Sequence, residues 1–296
     1  MSAPERPANP ERWFRTCPDS SVLTRPRLLA RSLIDVADLD EQIHYYERLL
    51  GTPADLRMPI PDFGGLELAA VGNLLLIASA RGFTPIQRQT SYSLIVPSLV
   101  AQLALLSDTG TSVLEPAESI LPGARARVRY PGGTLAELVE HRPWQGERPR
   151  TAAPGTTPAD LLATGVQLLA RHAVNDAEFL ATVRLYETLL QVPAITHPRL
   201  SGPVAAHTAI VGNLLVVGLS RPMPHDVPQP RVALIVSEGG ATDARPSWWE
   251  DAPAHGPRDT RTGTVALAGD MTAEIWSESC DGFHKTPRAT MGAGRD

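Results

Sequence analysis

Apolar residues in this chain fall into short blocks whose spacing alternates between strand-like and helix-like periods. Leu28 to Val36 is a strand-length apolar stretch, and Asp38 to Leu50 follows with helical spacing. Leu39, Ile43, Tyr46 and Leu50 form its apolar stripe, Asp38 with Glu41 makes a capping-box pattern, and Gly51 supplies the stop. Gly65 to Ala70 and Asn73 to Ala80 read as strands joined by a tight turn at Val71-Gly72-Asn73. The order then restarts with a strand at Ser93 to Val96 and a short helix at Pro97 to Leu106. A hairpin follows, Ala124 to Tyr130 with Leu135 to Val139, around Pro131-Gly132-Gly133.

The same blocks recur later in the chain. Leu28-Leu29-Ala30-Arg31 returns as Leu168-Leu169-Ala170-Arg171, a shift of 140 residues. At that shift Tyr46-Glu47 matches Tyr186-Glu187, Leu49-Leu50 matches Leu189-Leu190, and Val71-Gly72-Asn73-Leu74-Leu75 matches Val211-Gly212-Asn213-Leu214-Leu215. Leu94-Ile95-Val96 also matches Leu234-Ile235-Val236. A net deletion of three then aligns Ala136-Glu137-Leu138 with Ala273-Glu274-Ile275. The expected organisation is an extension over 1–27, one domain over 28–143, a proline-rich linker over 144–161, a second domain over 162–279 and a tail over 280–296. Both flanking segments are expected to be disordered. Each domain holds two strand-helix-hairpin units, so the chain holds four. Copy two departs from copy one between Gly239 and Pro257, where Trp248-Trp249, Pro246 and Pro253 predict an irregular loop or a short helix.

Composition narrows the chemistry. With 296 residues and 43% hydrophobic content, two domains can each bury a core. A net charge of −5 gives no broad cationic field, so nucleic acid is not an expected partner. The apolar runs are strand-length and the N-terminus alternates prolines and charges, so neither membrane association nor a secretory signal is expected and a cytoplasmic protein is. Cys17 and Cys280, both near chain ends, read as free thiols. Among the 27 basic residues Lys285 is the one lysine, which excludes a P-loop and a pocket Schiff base; the bias towards arginine suits a GC-rich bacterial genome. No H-E-x-x-H, G-x-S-x-G, C-x-x-C or G-x-G-x-x-G occurs.

Val36-Ala37-Asp38 ahead of a helix with Tyr45-Tyr46, then Leu49-Leu50-Gly51, then Tyr130-Pro131-Gly132-Gly133-Thr134-Leu135-Ala136-Glu137-Leu138, resemble the vicinal-oxygen-chelate superfamily. That group includes glyoxalase I, extradiol dioxygenases and bleomycin-resistance proteins, and the likeness covers about four-fifths of the chain. It implies an α+β fold: four βαβββ modules forming two glyoxalase-like, cupped mixed β-sheet domains. It also implies a divalent metal in each cup, on ligands from the first, fifth and last strands, commonly two His (or a Gln) and a Glu. Carried over, those positions are Arg31, Ser91 and Glu137 in copy one, and Arg171, Arg231 and Glu274 in copy two. Arginine has no lone pair for a metal, so no cofactor is expected in either cup.

The expected function is therefore that of a small-molecule-binding protein with degenerate metal sites, of the sequestration or resistance type. Its ligand would be an anionic or carbonyl-bearing metabolite or antibiotic held by the arginines. The alternative is a metal-dependent lyase, isomerase or dioxygenase of the same superfamily, with a divalent ion on His172, His207 and Glu274. Strand alternation sets His172 on the face opposite Arg171 and weighs against that set. Trp248, Trp249 and Trp276 are candidates for walling an apolar pocket, although such aromatics more often fill core. His44 and His141 read as solvated surface residues, and Tyr46 and Tyr186 as structural. A small-molecule partner is expected, with the chain either a monomer containing an internal pseudo-dimer or a homodimer.

Overall fold

Period-two alternation in the first strand sorts the molecule into faces. In β1 (Arg27–Asp35), Leu28 and Ala30 point to one side and Leu29 and Arg31 to the other, and every one of them is buried. The chain is represented by a computed structural model that describes residues 16, 18–60, 66–120, 123–143, 146, 148–149, 161–162, 165–196, 205–220, 229–237, 263–269 and 271–278. The stretch from Gly239 to Pro257, the ends at 1–15 and 279–296, and the linker residues 151–160 lie outside that set.

The first module runs β1, helix α1 (Leu39–Leu50), β2 (Ala54–Ile60), β3 (Leu66–Val71) and β4 (Leu74–Ser79). A short helix, α2 (Pro85–Gln89), leads into β5 (Thr90–Ile95), helix α3 (Leu99–Leu106), β6 (Ser112–Ile120), β7 (Gly123–Arg129) and β8 (Leu135–Glu140). These eight strands form one sheet in the order β2-β3-β4-β1-β5-β8-β7-β6. Within each module the first strand is parallel to the last, and the modules meet where β1 and β5 pair antiparallel. The second half repeats this with β9 (Val166–Asn175), helix α4 (Asp176–Leu190), β10 (Ala194–Thr196), β11 (Ala205–Val211), β12 (Leu214–Leu219), β13 (Val232–Ser237), β14 (Gly263–Leu267) and β15 (Met271–Glu278). Its order is β10-β11-β12-β9-β13-β15-β14, so the fourth module contributes three described strands.

Several boundaries differ from expectation for identifiable reasons. Asp38 stands at the N-cap of α1 but makes no side-chain capping bond; Asp35 instead accepts from the Ala37 N–H and caps the short 3-10 turn ahead of the helix. The buried stripe of α1 runs through Leu49 rather than Leu50. Gly51 ends α1 in the left-handed region, where it carries no Cβ penalty, and Gln191 takes the same conformation after α4. Two strands are invisible to the hydrophobic pattern. β2 carries Pro59 and lies at a sheet edge, and β6 is an exposed edge strand paired to β7 alone.

Both sheets are two-faced. On the helix side, Leu28, Ala30, Leu74, Leu76, Leu94 and Tyr46 pack in one continuous core with Leu168, Ala170, Leu214, Val216, Leu234 and Tyr186 of the other half. The two halves therefore join through their helix faces, and each keeps a separate apolar cluster on its concave face. Polar bonds cross the joint in near-symmetry: Asn73 Nδ2 donates to the Leu168 carbonyl at 3.0 Å, and Asn213 Nδ2 donates to the Leu28 carbonyl. Tyr46 Oη donates to Ala268 O, Tyr92 Oη to Arg171 O, and Gln102 Nε2 to Leu189 O.

The segment ahead of β1 is packed where it is described, contrary to the expected disorder. Thr16 N–H donates to the Arg57 carbonyl of β2, and the buried Ser20 hydroxyl donates to Val96 O at 2.7 Å. Ser20 also exchanges bonds with His141 at the end of β8, and Leu23 rests on the concave cluster. No helix among the described residues is long and apolar enough to cross a membrane.

Replacing Asn73 and Asn213 together by alanine should destabilise the protein by about 1 kcal/mol per lost bond. Urea unfolding measures this, and no loss at all would mean that the two carboxamides contribute nothing to the joint.

Candidate functional site

Strand β8 brings the first cup its carboxylate. Glu137 pairs in register with Ser93 on one side and Arg127 on the other, so all three project from neighbouring strands to the concave face. Arg127 NH2 donates to Glu137 Oε1 at 3.3 Å, Arg125 NH1 donates to the same oxygen at 3.2 Å, and Ser93 Oγ donates to Oε2 at 3.4 Å. Arg31 NH1 completes the group at 3.6 Å from Oε2. At the rim, Arg127 also binds Glu115 at 2.6 Å and Arg125 Nε binds Glu118 at 2.5 Å.

Three guanidiniums thus face one carboxylate on the floor, two of them with side chains only 3% exposed. The Nε and NH1 of Arg31 and the Nε of Arg127 are buried without a hydrogen-bond partner. Such donors are costly to leave unmet, and they line a cavity of about 70 Å³ walled by Leu29, Leu56, Met58, Leu75, Ile77 and Ile95.

Sequence reasoning placed Arg31 and Glu137 at the cup, and the structure brings them together. Ser91 is a correction: it is the extra residue at a bulge where β5 slips between Thr90 and Tyr92 against β8, and Ser93 lines the cavity in its stead. Arg125 and Arg127 were missed. Their signal was the alternation Arg125-Ala126-Arg127-Val128, which puts both arginines on the face of a strand opposite Glu137. His141 is a second correction, since it is 3% exposed and lines the same cavity with its Nδ1 unpartnered.

The second cup is built differently. Arg171 Nε binds Glu274 Oε2 at 2.5 Å and its NH1 reaches the Pro230 carbonyl at 3.4 Å, while Trp276 Nε1 donates to the same carboxylate oxygen at 3.0 Å. Trp276, 2% exposed, is part of the apolar cluster filling this cup. Thr264 stands opposite Glu274 where Arg127 stands opposite Glu137. Arg231 is exposed, and its NH2 donates to the Arg88 carbonyl of the first half rather than meeting Glu274 as expected. Trp248 lies outside the described residues. The alternative metal set does not converge. His172 stacks edge-on with Tyr92 and Tyr186 on the helix face, and His207 bonds to Asp176 at 2.6 Å and stacks on Phe179 beside α4. Glu274 is on the other face with Arg171. Between the halves an open groove of about 740 Å³ passes His172, Asn175 and Glu178, but among the described residues no set of charged donors converges there.

The donor chemistry does not fit the divalent metal that the resemblance implies. Two of the positions carry a cationic arginine and a serine, and the oxygens of Glu137 are already held by arginines. Among the described residues, no group of three or more His, Cys, Asp or Glu side chains is placed to hold a metal.

Electrostatics agree with this reading. Burial pushes the Glu137 carboxyl up, but the charges of Arg31, Arg127 and Arg125 and the Arg125 hydrogen bond outweigh it, so the group lies below the ordinary carboxylate range. Burial also pulls down the Arg31 guanidinium, which Glu137 supports and Arg127 opposes. Burial, reinforced by Arg142 and Arg27, lowers His141 to about 4, and burial with Arg171 does the same to His172.

These shifts fix the sign of the pH dependence. Between the ordinary histidine value of 6.5 and about 4, the unfolded chain takes up protons that His141 and His172 refuse in the fold, so stability falls as the pH drops through that window. The contribution of Glu137 is present above the ordinary carboxylate value of 4.5 and is lost as the pH falls through its lower folded value. Unfolding free energies measured from pH 4 to 7 should rise with pH, and His141→Phe should remove close to one proton from that slope; an unchanged slope would contradict the buried, neutral His141.

No protein-family model and no curated protein sequence matches the chain. Among solved structures, an uncharacterized protein from Methanosarcina mazei is 31% identical over 39% of this chain and 92% of its own, with a TM-score of 0.36. The 2,3-dioxygenase LapB from Pseudomonas sp. KL28 is 15% identical over 86% of this chain and 92% of its own, with a TM-score of 0.42. The Mn(II)-bound glyoxalase from Novosphingobium aromaticivorans is 10% identical over 86% and 82%, with a TM-score of 0.44. The repeated module, the antiparallel meeting of modules at β1 and β5, and the concave faces carrying Glu137 and Glu274 give this chain the glyoxalase-like, vicinal-oxygen-chelate fold.

Proposed function

We propose that the first cup is a metal-independent binding site for a small anionic or carbonyl-bearing molecule, and that the second cup is a scaffold. The observation that carries this is Arg31: a buried guanidinium whose Nε makes no hydrogen bond and whose NH1 has only a 3.6 Å ion pair with Glu137, set against an apolar cavity. A carboxylate or carbonyl oxygen is the partner that such a fork accepts best. The cavity of about 70 Å³ is well short of the ~300–1,000 Å³ that encloses a drug-sized ligand, which favours a small metabolite over a bulky antibiotic. Glu137, held ionised by its arginines, is a weak general base at neutral pH, so binding without turnover is the reading we favour over an enzyme. The two halves already bury their helix faces on each other, which supports a monomer in which the internal joint does the work of a dimer.

Calorimetric titration with hexanoate tests the site. Arg31→Met, which keeps the side chain's volume and removes the donors, should weaken binding at least tenfold. Glu274→Gln should leave it unchanged. Elemental analysis of the purified protein should find no stoichiometric Zn, Ni, Mn or Fe. A bound metal lost on mutating Glu274 or His207 would instead support a metalloenzyme.

A further inference from the structure

The polar groups of the first cup stand at two ends of one aliphatic chamber. Arg31, Ser93 and Glu137 mark one end. Glu137, Val139 and His141 follow one another at alternate positions on one face, and His141 lies four residues beyond Glu137, roughly 13 Å along the strand direction at ~3.3 Å per residue. Most of the remaining wall is leucine, isoleucine, valine and Met58, joined by Arg125, Arg127 and by Gln87, whose Oε1 accepts from the Thr84 N–H; no phenylalanine, tyrosine or tryptophan lines it among the described residues. At the far end His141 offers a buried Nδ1 that has no hydrogen-bond partner among the described residues, none of which pairs an acidic side chain with its ring. The charged and titratable groups around it are Arg142, Arg27 and Glu137.

Two unmet polar groups at opposite ends of an apolar chamber define a class of ligand. We infer that the first cup takes a short aliphatic carboxylate bearing a second polar group, a hydroxyl or a carbonyl, at the end remote from its carboxylate. The carboxylate meets Arg31, the methylene chain lies along Leu29, Met58 and Ile95, and the remote oxygen meets His141. Size agrees: at ~10–15 Å³ per water, about 70 Å³ holds roughly five to seven waters, a volume that suits a short aliphatic acid. The aliphatic wall disfavours a flat aromatic ring, which would want stacking partners. This inference rests on the reading of the first cup as an anion site and extends it to the body and far end of the ligand.

The test compares two acids of equal heavy-atom count, 5-hydroxypentanoate and hexanoate, with benzoate as the aromatic comparator, titrated into the full chain by calorimetry. The wild type should bind 5-hydroxypentanoate about tenfold more tightly than hexanoate, and benzoate least. His141→Phe should reverse that preference, whereas Arg31→Met should weaken both aliphatic acids. If hexanoate or benzoate binds as tightly as 5-hydroxypentanoate while Arg31→Met still abolishes binding, the bifunctional class is overturned and the anion site stands. If neither aliphatic acid binds at about 10 mM, or Arg31→Met changes nothing, the anion site itself falls. Because His141→Phe can disturb packing, the wild-type protein labelled with ¹⁵N-histidine gives a second readout. The His141 Nδ1 resonance should move with 5-hydroxypentanoate and stay in place with hexanoate; equal movement with both overturns the proposed contact.

Discussion

Two central strands, Arg27–Asp35 and Val166–Asn175, have no solvent-facing side over their middle residues, and this constraint organises the molecule. Because neither face of β1 or β9 can be left to water, each sheet must be covered twice. Helices and the opposite half cover one face, and the curl of the sheet over its own apolar residues covers the other. The alternation that puts Leu28 and Leu168 in the shared core forces Leu29, Arg31, Leu169 and Arg171 into the cups. Burying a guanidinium there requires a carboxylate, and the last strand of each sheet supplies it.

The two cups meet that requirement in unequal ways. In the second, one arginine, one glutamate and an indole N–H satisfy each other, and Trp276 takes up the remaining space. In the first, three arginines share Glu137, and two outer glutamates draw Arg125 and Arg127 towards the rim. Buried ion pairs of this kind add little net stability, because desolvation offsets most of the attraction. In the first cup the guanidinium nitrogens left without a hydrogen bond add to that desolvation cost.

Much of the architecture was legible because repeated blocks carry it. Leu28 to Arg31, Val71 to Leu75 and the turn at Gly51 are fixed by periodicity and by the backbone freedom of glycine, which a single sequence displays directly. The edge strands were not legible. Ser112–Ile120 is exposed along most of its length and holds its place through Glu115 and Glu118 pairing with arginines, contacts that no hydrophobic pattern encodes. The site was half legible: Arg31 and Glu137 came from the ligand positions that the family resemblance implied, but a bulge shifted the serine from 91 to 93. His141 became buried because residues ahead of β1 fold back over it, a long-range event with no local signature.

That fold-back has a practical consequence. Thr16 and Ser20 bridge the outer strand of the first sheet to the far ends of β5 and β8, which makes the segment a stopper in the base of the half-barrel. A recombinant version trimmed to begin at the first recognisable strand would keep every repeated block and still lose the stopper. Solvent would then enter from below, and the remaining fragment would report the properties of an unplugged vessel.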